Sequence, residues 1–185
     1  MKSFILISLI SISSFNLFAQ KETNQENTGS GLKNVLQEVL RAAAEDFISI
    51  RGERVSGETG TVSYLSTLSA PGSQENRIIG YNGPKKTDWV WESRLNSFED
   101  IKELQKQYKK IYSEINRGSV KGNSKTYEPL SLYEHPTEDQ RIWTNQFKVV
   151  TTKLMIDLVA EQQYNEWVIW LRVYNLENLA GAPSY

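Results

Sequence analysis

Residues 153–174 read KLMIDLVAEQQYNEWVIWLRVY, and the phase of their side chains decides the fold. Leu154, Ile156 and Leu158 alternate with Lys153, Met155 and Asp157, while Trp167, Ile169, Leu171 and Val173 alternate with Val168, Trp170, Arg172 and Tyr174. Successive side chains of a strand point to opposite faces, so each run has one apolar face and one mixed face. The two runs predict a β-hairpin, Phe147 to Ala160 and Tyr164 to Leu176, with the chain reversing within Glu161 to Glu166. If Leu158 and Leu171 share the core, the loop between the strands has an even number of residues. The opposite face then carries Trp170, Arg172 and Tyr174 beside Lys153, Met155 and Asp157, with Asp157 opposing an arginine across the ladder. That face is expected to be open, aromatic and charged.

Working upstream, Gly118 to Gln146 is irregular, broken by Gly122, Pro129 and Pro136. A connection this long needs a job or an element of its own. A short strand around Thr126 to Tyr133 is one such element, and Tyr133 and Trp143 supply aromatic surface beside the hairpin. Before it, Phe98, Ile101, Leu104, Tyr108, Ile111, Tyr112 and Ile115 keep helical spacing up to Gly118, read as a left-handed cap. Ser97 followed by Asp100 resembles a capping box. Between Arg51 and Asn96, Val62 to Leu68, Ile78 to Tyr81 and Trp89 to Leu95 read as three antiparallel strands, with Trp89 and Trp91 on one face as core. Leu32, Val35, Leu36, Val39, Leu40 and Ala43 form the apolar stripe of a first helix.

The predicted fold is therefore α+β: a single antiparallel sheet of about five strands with two helices packed on one face, in the order helix, three strands, helix, two strands. Helix then strands occurs twice, without a residue-level match between the halves. In element order this is similar to secretion-chaperone-like and TATA-binding-protein-like α+β folds; the similarity is topological and carries no functional residues.

The amino terminus reads as an address. Lys2, an apolar run from Phe4 to Ile12, then Leu17-Phe18-Ala19 have the order of a secretory signal in residues 1–19, cleaved after Ala19. Residues 20–31 are polar and read as a flexible tether, leaving 32–185 as one α+β domain. The expectation is an exported chain, periplasmic or secreted, with no membrane span after cleavage.

The chain has 21 basic and 22 acidic residues, a near-balance that argues against nucleic acid as a partner. Without cysteine it has no disulfide, thiol nucleophile or zinc ribbon. Its one histidine, His135, excludes a two-histidine metal motif, and no G-x-S-x-G elbow accompanies it. Ser30-Gly31-Leu32-Lys33 matches S-x-x-K but lacks its partner motifs and reads as a helix entry. Gly52 to Gly57 has phosphate-loop glycine spacing, yet Glu58 stands where a lysine must neutralise phosphate. No catalytic residue, metal ligand or cofactor is expected.

Trp, Tyr and Arg are enriched where proteins bind one another. The candidate ligand-binding residues are accordingly Trp170, Arg172, Tyr174, Asp157, Tyr133 and Trp143. They imply a non-catalytic binding or adaptor domain recognising a protein, peptide or cell-surface polymer. The alternatives are a small cell-envelope hydrolase using loop carboxylates and a self-associating subunit that dimerises through the exposed sheet.

Overall fold

A computed structural model describes residues 31–55, 59–118, 120–121 and 124–176. The expected signal segment, residues 1–19, and the expected tether, residues 20–31 apart from Gly31, lie outside the described residues. Helix α1 spans Gly31–Ala43 and leads through a short 3₁₀ turn, Ile48–Ile50, into β1 (Arg51–Val55), β2 (Thr61–Ser66), β3 (Glu75–Asn82) and β4 (Thr87–Phe98). Helix α2 spans Ile101–Gly118. It is followed by a small two-stranded ribbon, β5 (Val120–Lys121) and β6 (Ser124–Lys125), and then by β7 (Tyr127–Pro129), β8 (Ile142–Val149), β9 (Leu154–Gln163) and β10 (Glu166–Asn175).

The α+β character and the antiparallel sheet stand, but the expectation of about five strands does not. The main sheet has eight strands in the order β1-β2-β3-β4-β10-β9-β8-β7. The three added strands lie at or next to its edges, where alternation is weakest. Edge strand β1 (RGERV) carries charges instead of an apolar face, and edge strand β7 is three residues long and ends at Pro129. Both features blunt an edge against further pairing. Strand β8 begins in the stretch read as irregular, Gly118 to Gln146, and ends in the predicted Phe147 to Ala160 run, which a turn between Val149 and Leu154 divides in two.

Helix placement differs as well. The expected order of three and then two strands gives way to a helix with four main-sheet strands, twice: α1 with β1–β4 and α2 with β7–β10. The helices pack on each other over the middle of the sheet, α1 against β10 and α2 against β10 and β4, and do not blanket its width. The similarity in element order to secretion-chaperone-like and TATA-binding-protein-like folds rested on the superseded order and goes with it.

The β9–β10 hairpin follows its alternation. Leu158 faces Leu171, and the pairing closes with Gln163 opposite Glu166, leaving a two-residue loop whose Tyr164 has φ 55°. Leu36 and Val39 of α1 and Leu104, Tyr108, Ile111 and Ile115 of α2 join Trp91, Leu95, Ile156, Leu158, Ile169, Leu171 and Val173 in one core. Burial of each large aliphatic side chain contributes roughly 1.5–3 kcal/mol.

The cap of α2 is Asp100, whose Oδ1 accepts from the Lys102 backbone N–H at 2.6 Å and the Glu103 N–H at 3.3 Å; Ser97 belongs to β4. Gly118 is not left-handed. A side chain there would place a Cβ 2.8 Å from the buried Tyr127 hydroxyl.

The long connection before β8 is held by a neutral knot. Buried Tyr108 donates to the Leu158 carbonyl at 2.6 Å and accepts from the Asn145 backbone N–H at 3.2 Å and from Asn145 Nδ2 at 3.0 Å. Asn145 and Leu158 face each other across β8 and β9, so a helix hydroxyl is stitched into the strand ladder. Asn145 Nδ2 also donates to the Glu134 carbonyl at 2.9 Å, and Gln105 Nε2 donates to the Pro136 carbonyl at 2.6 Å. Tyr133 packs on Tyr112, ring centres 4.7 Å apart.

Candidate functional site

Strand registers place Gln146 (β8), Asp157 (β9), Arg172 (β10), Glu92 (β4) and Arg77 (β3) side by side across the sheet. Adjacent members are one strand spacing apart, about 4.8 Å. Because Leu158, Leu171 and Trp91 point to the helices, this row points the other way. A neighbouring row runs Val159, Trp170, Arg94, Glu75. On the other side, Val90, Met155 and Tyr174 form a small apolar cluster with Tyr81, separate from the main core and with no helix residue in it.

The charged row is already knitted together. Arg172 Nε lies 3.4 Å from Glu92 Oε2, with side chains only 16% and 12% exposed. The Arg77 guanidinium engages the Glu75 carboxylate, Nε to Oε1 at 2.7 Å. Asp157 accepts from the Tyr174 hydroxyl, 3.0 Å to Oδ2, and from Gln146 Nε2 at 3.1 Å. The Arg172 guanidinium sits 5.6 Å from the centre of the Trp170 ring, a cation–π distance.

Burial pushes the Glu92 carboxyl above its ordinary value, and Arg172 and Arg77 pull it partly back. Burial likewise raises Asp157, against the hydrogen bonds from Gln146 and Tyr174 and the charge of Arg172. The Tyr174 hydroxyl is raised by burial and by the Asp157 charge beside it, so it stays a proton donor.

Four of the six candidate residues thus come together: Trp170, Arg172, Tyr174 and Asp157. Tyr133 and Trp143 do not. Trp143 faces Ala160 on the helix side and donates from Nε1 to the Thr137 carbonyl at 3.2 Å, and Tyr133 packs against the main core. The expectation of an open aromatic face is also corrected. Tyr174 is 7% exposed and serves Asp157, so Trp170 is the partly exposed ring of this row and its neighbour.

Sequence reading missed Glu92, Arg77, Arg94 and Glu75. The phase of Glu92 and Arg94 was legible in β4, where Val90, Glu92 and Arg94 alternate with the core-facing Trp89, Trp91 and Ser93. What was not legible was that β4 lies against β10.

Elsewhere, His135 is exposed in the β7–β8 connection, and among the described residues no group of three or more His, Asp or Glu is placed to hold a metal ion. Gly52 lies in β1, not in a phosphate loop, and residues 56–58 lie outside the described residues. Among the described residues no helix is long and apolar enough to cross a membrane. Comparison of the chain with protein-family models, with curated proteins and with solved structures finds no match.

Proposed function

We propose that this chain is an exported, non-catalytic binding domain that recognises a protein, peptide or cell-surface polymer through the sheet face opposite its helices. One observation carries the reading. Arg172 and Glu92 sit at the centre of that face with little exposure, where two charges cost more in desolvation than a pair of apolar side chains would. Stability alone does not call for such a pair. A row that alternates Asp157, Arg172, Glu92 and Arg77 sets both the register and the polarity of whatever lies across it. Trp170 supplies the ring surface that binding faces favour.

The test is capture from a native envelope fraction by the immobilised chain, followed by rebinding of the captured species in purified form. Trp170→Ser and Thr144→Arg, which crowds the exposed rim of the Trp170 row, are each expected to abolish capture with the thermal midpoint nearly unchanged. Arg172→Ala is unsuitable because it strands Glu92. Capture that survives both variants refutes the reading. A concentration-dependent dimer in light scattering, lost in the same variants, would replace it with self-association.

A further inference from the structure

On the helix-free face, three guanidinium groups stand among three carboxylates: Arg77, Arg94 and Arg172 with Glu75, Glu92 and Asp157. Glu75 is the cross-strand neighbour of Arg94, yet its carboxylate is turned to Arg77. Glu92, two residues before Arg94, is paired with Arg172. Asp157 is held by Tyr174 and Gln146. Among the described residues Arg94 is left as the odd cation, and its Nε is buried without an acceptor. Directly across the ladder stands Trp170, whose Nε1 is buried and equally without an acceptor. Directly opposed side chains in a sheet have Cβ atoms about 4.5–5.5 Å apart, so the two side chains leave the sheet side by side.

Resting on the proposed binding role of this face, we infer that Arg94 and Trp170 form an anchor for a carboxylate, supplied by an acidic side chain of a bound peptide segment. Nitrogen donors withdrawn from water with nothing to bond to lose hydration and gain nothing in return. A carboxylate accepts from several donors at once and offers a counter-charge to the one guanidinium of the three that the neighbouring acids do not engage. The rest of the face favours a peptide over a uniformly acidic polysaccharide. Such a polymer would bring its remaining charges against Glu75, Glu92 and Asp157, whereas a peptide places one acid at the anchor and neutral or basic side chains over those carboxylates.

The experiment uses the ¹⁵N-labelled chain and N-acetylated, C-amidated tetraglutamate, with tetraglutamine as its uncharged twin. Tetraglutamate is expected to move the Trp170 indole N–H and Arg94 Nε–H resonances downfield in a saturable way, and tetraglutamine to leave them in place. Arg94→Gln is expected to weaken the interaction about tenfold or more, with Arg94→Lys retaining part of it. Equal shifts from the two peptides, or a binding curve unchanged in Arg94→Gln, overturns the anchor. The peptide comparison on the unmodified chain decides the matter even if a variant does not fold. Polygalacturonate moving these resonances where tetraglutamate does not overturns the peptide assignment. Tetralysine shifting the face while tetraglutamate fails removes the anchor and leaves the binding reading standing. Capture that survives both Trp170→Ser and Thr144→Arg, with no peptide shifting the resonances of the unmodified chain, removes both.

Discussion

The two faces of the β9–β10 hairpin solve the burial of polar groups in opposite ways. On the helix side, Tyr108, Asn145, the Leu158 carbonyl and the Glu134 carbonyl form a neutral knot in which the Tyr108 hydroxyl and Asn145 Nδ2 both have partners. On the far side, Arg172, Glu92, Asp157 and Arg77 form a charged row, and two adjoining nitrogens have no acceptor. A neutral, satisfied network rigidifies a core at modest cost, whereas a buried ionic one is expensive and adds little to stability. The first is architecture and the second is the candidate site.

Breaking the charged row one partner at a time is the sharpest way to separate them. Arg172→Ala leaves Glu92 buried with its nearest cation gone and is expected to cost about 3 kcal/mol, the low end for a broken buried pair because both side chains keep some exposure. Replacing both partners, Arg172→Met with Glu92→Leu, is expected to return stability to within about 1 kcal/mol of the native chain or above it. Urea unfolding of the single and double variants measures the difference. A double variant as unstable as Arg172→Ala would make the ion pair architectural and erase the contrast.

The helix-side knot should behave otherwise. Tyr108→Phe removes one hydroxyl yet leaves the Leu158 carbonyl and Asn145 N–H inside the strand ladder without their partner, for an expected loss of about 1–3 kcal/mol. The connection containing Glu134 should exchange its amide hydrogens faster in the same variant. An unchanged unfolding midpoint would mean that β8 and β9 close directly on each other without the tyrosine.

How much of this was legible follows from where information sits in a strand. The β9–β10 pairing, its even loop and the stripes of α1 and α2 are local: the alternation of Leu154 to Val173 displayed the hairpin, and helical spacing from Leu32 and from Ile101 displayed the stripes. Strand β1 was hidden because its Arg, Gly and Glu do not form an apolar alternation, whereas β7, Tyr127–Pro129, lies within the short strand expected around Thr126 to Tyr133. The site was half visible. Trp170, Arg172, Tyr174 and Asp157 share a hairpin, whereas Glu92, Arg77, Arg94 and Glu75 reach them only through the β4–β10 contact, a pairing between distant parts of the chain that no short window of sequence contains. Tyr133 and Trp143 misled because an aromatic residue near a binding surface and one near the core look the same in a string of letters.

The smallest expected effect also bears on the contrast between the faces. Burial, the largest influence, raises the Glu92 and Asp157 carboxyls above their ordinary values despite the arginines and hydrogen-bond donors beside them. A raised native value means that the folded chain holds these protons more tightly than the unfolded chain. Between the two values stability therefore falls as pH rises, and the contribution is greatest below the ordinary carboxylate range, opposite to that of a salt-bridged acid with a depressed value. Glu92→Gln removes one of the two titrations. The thermal midpoint of the native chain relative to Glu92→Gln is thus expected to climb as pH is lowered from about 7 to about 4, crossing the range where carboxylates titrate. A relative midpoint that drops on acidification would show that Arg172 outweighs burial and that the pair is a stabilising bridge. The helix side provides the control: burial raises the Tyr108 hydroxyl and keeps it neutral throughout, so the deficit of Tyr108→Phe should not change across the same interval.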